Sequence, residues 1–439
     1  MAIKSKMESI MIIQRDLYLK RLISRIGNGM IKVITGVRRC GKSFLLFELF
    51  YHYLLEHGTP ADHIITLALD DIENEAYRDP HALYAYLKER IQSSSAHYFV
   101  FLDEIQLAIS KEELKQSDTD VELYGVFNGL LRRRNVDVYV TGSNSKLLAT
   151  DVLTTFRGRG DQIRVLPLSF SEYFPAAGLS KPDAWTAYLQ YGGLPHILSL
   201  NSNEQKMQYL TTLNQEIYFK DIQERYDVTN LDGMEELMRV IASSVGSLSN
   251  PQRISNTFAS AGMKGVSLPT IRAYLSYLKD AGLISEAERY DVKGRKYIST
   301  PVKYYYTDTG LRNALLGFRQ FDQTHLMENV IYNELRYRGF SVDVGVVPVR
   351  VMENGKRVTK RLEIDFVANQ GSRRYYLQSA YAIPDMEKMN QEQASLIHVS
   401  DSFKKIIITG DHAPLWRNEQ GVTIMSIYDF LLNPDSLDL

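Results

Sequence analysis

Cysteine is all but missing from this sequence. Cys40 is the single one in 439 residues, so neither a disulfide within the chain nor a cysteine-built zinc site can form. That scarcity fits a reducing compartment. An excess of either charge is missing too. Lysine and arginine total 51 against 52 aspartates and glutamates, a net −1, so any nucleic-acid or membrane partner has to be argued from local charge. No apolar run approaches the roughly 20 residues needed to span a bilayer. The opening residues MAIKSKMESIMIIQRDLYLK hold no apolar segment of signal-peptide length. Repeats and low-complexity tracts are absent as well. These absences lead to the expectation of a soluble, cytoplasmic protein. With 44% hydrophobic and 23% charged residues a packed core is expected. The length suggests two to four domains, at roughly 100–200 residues each.

What is present begins with a phosphate-binding signature. Ile31–Thr35 (IKVIT) reads as a short buried strand. It runs into Gly36, Val37, Arg38, Arg39, Cys40, Gly41, Lys42 and Ser43, and then into FLLFELFYHYLLEHG, a helical pattern stopped by Gly58. Strand, GxxxxGKS, helix is the setting of a P-loop, in which glycines let backbone N–H groups curl around phosphates. Lys42 is expected to reach the β and γ phosphates of ATP, and Ser43 to offer its hydroxyl to Mg²⁺. Arg38 and Arg39 could neutralise phosphate or reach protein carboxylates. Cys40 is expected at the loop tip, where a thiol reagent would block ATP binding and ATP would protect it.

Further strands are predicted at His63–Leu69, Tyr98–Leu102, Val136–Val140 and Gln162–Leu166. Asp103 and Glu104 follow the second of these in the Walker B manner: Asp103 for Mg²⁺, Glu104 to polarise the attacking water. Thr141-Gly142-Ser143-Asn144 follows the next, with Asn144 as candidate γ-phosphate sensor and Ser143 behind it. Arg157 and Arg159 in FRGRG could act in trans on a neighbour's nucleotide, which would make the active form a homo-oligomer, or could be loop charges.

GVRRCGKS, FLDEIQ, VTGSNS, FRGR, LSFSEYF and YGGLP, in this order, resemble one widespread prokaryotic family. Its members pair an AAA-type ATPase module with a C-terminal nuclease-like domain of undetermined role. The resemblance implies an α/β fold: a P-loop NTPase parallel sheet of order 5-1-4-3-2 with a helical lid, then two further domains. The expected boundaries are an ATPase core at 1–167, a lid and connector at 168–232, a winged-helix-like domain at 233–320 and a restriction-endonuclease-like domain at 321–439.

The middle region carries three helical patterns, around Met234–Val245, from Pro251 to Gly262 and from Ser267 to Gly282. A hairpin follows across Ser285–Thr307, its tip at Asp291-Val292-Lys293-Gly294-Arg295. Three helices and a hairpin is the winged-helix order. Between Ser247 and Gln320 eleven Lys/Arg face five Asp/Glu, a local basic excess of the kind DNA contact requires. Arg272 and Lys279 on the third helix, with Lys293, Arg295 and Lys296 at the wing, are the candidate phosphate contacts. A winged helix serving only as a protein-docking spacer is the alternative.

The last region predicts a helix at His325–Tyr337 and strands at Ser341–Val349, Arg361–Val367, Arg374–Gln378, Lys405–Thr409 and Gly421–Ser426. Glu328, Asp365 and Gln378 match the first three positions of a restriction-endonuclease-like metal site. The lysine position is Ala380, which argues for a degenerate site unless a displaced residue such as Lys360 or Arg361 replaces it. Glu363 and Asp365 should share one strand face. The function expected is Mg²⁺-dependent ATP hydrolysis coupled to a nucleic-acid-associated or regulatory task. Alternatives are a nucleotide-gated switch with little turnover, binding a protein or nucleic acid, and an ATP-dependent nuclease.

Overall fold

The computed structural model describes residues 12–93, 95–110, 113, 121–142, 160–260, 262, 266–353, 356–411 and 414–439. They form two compact units, divided between Leu166 and Pro167. Among the described residues no helix is long and apolar enough to cross a membrane.

The first unit is built on five parallel strands: β1 (Ile31–Thr35), β2 (Ile64–Ala68), β3 (Tyr98–Asp103), β4 (Val136–Thr141) and β5 (Gly160–Arg164). Their order is β2-β3-β4-β1-β5, the order the resemblance implies. β1, β3 and β4 are buried along their whole length because helices cover both sheet faces, the usual condition of parallel sheets. One face packs Val33, Val100, Leu102 and Val140 against Leu83, Leu87, Leu123 and Phe127. On the other, the Phe50 ring lies 4.9 Å from Tyr139 and 5.5 Å from Phe101. Phe50 ends a π-helical stretch, Leu45–Phe50, inside the helix expected after the loop. Its Leu45, Leu46, Leu49 and Phe50 are buried and share one face of the helix.

The second unit opens with helices, among them Phe170–Ala177, Lys181–Tyr191 and Asn203–Thr212. Helices Leu231–Ser243, Pro251–Ser260 and Leu268–Asp280 follow, with the short β6 (Leu248–Ser249) between the first two. Next come β7 (Ile284–Asp291) and β8 (Lys296–Tyr306), then helices Thr309–Leu315 and Gln323–Tyr337. The remaining strands are β9 (Ser341–Glu353), β10 (Lys356–Gln370), β11 (Arg373–Ala380), β12 (Lys404–Thr409), β13 (Trp416–Arg417) and β14 (Thr423–Ser426).

These strands form one sheet, β13-β14-β12-β11-β10-β9-β7-β8-β6. The join is at β7, whose Arg289, Tyr290 and Asp291 pair in parallel with Val344, Gly345 and Val346 of β9. The sheet therefore runs without a break past residue 320, where the sequence suggested a domain boundary. Asp308 fixes a second join. It is buried, accepts from the backbone N–H of Gly193 at 2.7 Å, and caps helix Thr309–Leu315 through Leu311. A Cβ on Gly192 (φ 74°) would lie 2.1 Å from that carboxylate. The glycine pair of YGGLP is thus required by packing. Asn313 donates to the carbonyls of Leu189 and Gln190, and Arg312 to that of Ala242.

Candidate functional site

The P-loop lies between β1 and the helix starting at Lys42. Its backbone takes left-handed angles at Arg39 (φ 62°) and Gly41 (φ 96°), the kind of local geometry that turns successive N–H groups inward as an anion nest. At Gly36 (φ 149°) a Cβ would lie 2.2 Å from the Val165 carbonyl oxygen, so only glycine fits. Lys42 is buried and donates to the Gly36 and Val37 carbonyls at 3.0 and 3.2 Å. Ser43 is exposed at the start of the helix.

Two more strands bring their ends to this loop. Asp103, last in β3, accepts from Thr141 Oγ1 at the end of β4, with the Ser43 hydroxyl close enough to act on its carboxyl. Burial pushes the Asp103 carboxyl above its ordinary range, and the two hydroxyls oppose that shift. A buried carboxylate beside the loop serine is the donor set that Mg²⁺ takes when it is also bound to phosphate. Among the described residues no cluster of three acid, histidine or cysteine side chains could hold a metal by protein alone. Glu104 follows in a left-handed conformation (φ 50°, ψ 47°), and the Gln106 amide donates to its Oε2.

A second cluster forms in the second unit. Glu328, from helix Gln323–Tyr337, and Glu363 and Asp365, from β10, all meet the ammonium of Lys303 from β8, at 2.9, 2.8 and 3.4 Å. Tyr305, two residues on and so on the same strand face, donates to Glu328 at 2.7 Å. Gln378 accepts from the Asp365 N–H at 3.4 Å, and Asp365 Oδ2 accepts from the Ser379 N–H at 2.8 Å.

Comparison with known proteins agrees with the loop geometry. An uncharacterized protein of Haemophilus influenzae is 31% identical over 425 residues, spanning 96% of this chain and 98% of that protein. The chain belongs to the same family. The AAA domain family matches residues 28–174, and a domain of unknown function, DUF8612, matches 182–322. An uncharacterized protein of Methanocaldococcus jannaschii is 25% identical over 399 residues, 87% of this chain and 80% of its own. The solved structure of the Aeropyrum pernix ORC1 protein in complex with DNA aligns with 69% of this chain and 92% of that one, at 12% identity and a TM-score of 0.31.

Within the AAA domain, Lys42 and Ser43 open the helix after the loop, and Asp103 and Glu104 stand at the end of β3. Cys40 is a correction. Its thiol is fully buried, with Sγ 3.5 Å from the Val165 carbonyl. Ser143, Asn144, Arg157 and Arg159 lie outside the described residues. The sequence reading missed Thr141, Gln106 and Arg15. The Arg15 guanidinium is buried and donates to the carbonyls of Cys40 and Leu166 at 2.9 Å each, bracing the loop from behind. The signal for Thr141 was its place at a strand end beside Asp103; nothing marked Arg15.

Of the candidate phosphate contacts, Arg272, Lys293, Arg295 and Lys296 are exposed. Lys279 is exposed too but is paired with Glu286 at 2.7 Å. The Lys293 ammonium donates to the Pro348 carbonyl, and Pro348 pairs with Arg361 across β9 and β10. The turn between β7 and β8 therefore stands beside the outer half of the β9–β10 hairpin, where Arg350, Lys356, Arg357, Lys360 and Arg361 are exposed. Sequence distance hid this gathering of cations.

Proposed function

We propose that the chain binds Mg·ATP at the AAA domain and hydrolyses it, with turnover coupled to nucleic acid. One observation supports the first part above all: the Asp103 carboxylate at the end of β3 accepts from Thr141 of β4 and lies near enough to the Ser43 hydroxyl of the loop to be influenced by it. Lys42 would exchange its loop carbonyls for β and γ phosphate oxygens, and the loop amides of Gly36 to Ser43 would cradle them. Ser43 and Asp103 would hold Mg²⁺, whose charge supports the leaving phosphate. Glu104 would take the proton of the attacking water once it parts from Gln106. Asn144 as γ-phosphate sensor and Arg157 or Arg159 acting in trans, which would require an oligomer, complete the reading.

The nucleic-acid part is supported by the basic end of the second unit's sheet. Winged-helix-like elements contribute Lys293, Arg295 and Lys296, and the β9–β10 hairpin adds Arg350, Lys356, Arg357 and Arg361. Such a surface would contact phosphates without reading bases.

A second reading, a nucleotide-gated switch with little turnover, is favoured by the Gln106 amide, which engages the Glu104 carboxylate. The test is steady-state phosphate release with Mg·ATP, with and without single- and double-stranded DNA, against Lys42→Ala and Glu104→Gln. Release that DNA stimulates and both substitutions abolish supports the coupled ATPase. Tight ATP binding with no release under any condition replaces it with the switch.

A further inference from the structure

The restriction-endonuclease resemblance calls for a divalent metal between Glu328, Asp365 and Gln378, and these residues do not fit one. Lys303 Nζ stands within 3.4 Å of Glu328, Glu363 and Asp365 at once. Mg²⁺ would need these same oxygens at roughly 2.1 Å, in a space the ammonium fills. The other donors have partners of their own. Glu328 Oε1 also receives the Tyr305 hydroxyl, Asp365 Oδ2 takes the Ser379 N–H, and Gln378 Oε1 takes the Asp365 N–H. Behind Glu328 the backbone closes in: a Cβ on Gly246 (φ 73°) would lie 3.0 Å from Oε2. Lys360 and Arg361, the displaced lysine substitutes the sequence offered, are elsewhere. Lys360 pairs with Glu353 at 2.6 Å, and Arg361 is exposed on the hairpin.

We infer that Lys303 is the resident cation of this pocket: its ammonium takes the position of a divalent metal, and the carboxylates serve to seat β8 against β10 and the Gln323–Tyr337 helix. The charges are consistent with this. Burial alone would lower the lysine, but Glu328, Asp365 and Glu363 together outweigh it and hold the ammonium well above the usual value. Burial pushes the Glu328 carboxyl upward, with Lys303 opposing. Three acids around one lysine leave surplus negative charge, so removing the ammonium should uncover a cation site instead of an inert cavity.

The experiment is Mn²⁺ binding to the full, nucleotide-free chain, read from the free-Mn²⁺ electron paramagnetic resonance signal and from thermal midpoints. Wild type, Lys303→Met, Asp365→Asn and the double variant are compared. Wild type should show no Mn²⁺ occupancy that Asp365→Asn removes. Lys303→Met should gain one Asp365-dependent site that wild type lacks, as expected when a competing ammonium leaves. Its thermal midpoint should rise with Mn²⁺, and the double variant should lose both effects. Asp365-dependent Mn²⁺ binding by wild type would overturn the inference, as would a folded Lys303→Met that gains no site. Metal-dependent DNA cleavage by wild type that Asp365→Asn abolishes would also overturn it. Should Lys303→Met fail to fold, wild type against the half-exposed Glu363→Gln decides: a Glu363-dependent Mn²⁺ site refutes the inference, and its absence supports it.

Discussion

The Thr141 hydroxyl, at the end of β4, donates to the Asp103 carboxylate at the end of the adjacent β3. Losing a hydrogen bond to a charged group costs about 1.5–3 kcal/mol, so Thr141→Val should weaken Mg·ATP binding by about 10-fold or more. ATP affinity measured in EDTA should stay near wild type, because the loop amides and Lys42 are untouched. Thr141→Ser should restore the metal-dependent part. Equal losses with and without Mg²⁺ would mean that Thr141 supports the loop and not the ion.

The burial of Cys40 predicts resistance to thiol reagents. A chromogenic disulfide should react with the native chain at least about 100-fold more slowly than with the unfolded chain, since attack waits for local opening. Rapid stoichiometric labelling of native protein would show that the thiol faces solvent.

Arg357 and Arg361 are exposed on the outer half of β10. If this surface binds DNA phosphates, replacing both by alanine should lower the slope of log affinity against log salt by about 2, near 0.9 per lost contact. Lys279→Ala should change the slope less, because Glu286 already pairs with that ammonium at 2.7 Å. A slope unchanged in the double variant would remove the hairpin from the interface.

Burial raises the Asp308 carboxyl to about 6, with the N–H groups of Gly193, Leu311 and Gly310 opposing. The unfolded value is near 3.9. The folded form thus binds the extra proton in this interval, so the contribution to stability is full below about 4 and is lost as pH rises through 6. Against Asp308→Asn, wild type should lose roughly 3 kcal/mol more between pH 4 and 7. Trp185 and Trp416 both belong to the second unit, so tryptophan fluorescence during denaturant unfolding reads the right part of the molecule. Parallel pH profiles would show that Asp308 ionises normally.

Strand and helix positions were legible because they rest on local periodicity, and β1 fell where IKVIT placed it. The loop residues were legible because phosphate chemistry fixes their spacing within eight positions. The partners of buried charges were not. Lys32 pairs with Asp137, and Lys303 with Glu363, across many tens of residues, and nothing in either local pattern names the other. A lysine inside VKYYY looks like an interruption of a strand until the sheet puts three acids around it. The boundary near residue 320 was drawn from a change of motif, which carries no information about whether β7 and β9 share hydrogen bonds.

β8 begins at the exposed basic turn with Lys296, opposite Asp291 of β7, and carries Lys303, opposite Ala287, seven positions on. The strand is paired with β7 on both sides of a bulge between Ile298 and Lys303, and Lys303 itself is paired with Leu248 of β6 on the other edge. Its far end is bolted down by the carboxylates around Lys303. Whatever grips the turn pulls against that bolt, and loosening it would let the turn wander. The buried ion cluster that seats the sheet thereby also anchors the strand that carries the exposed turn.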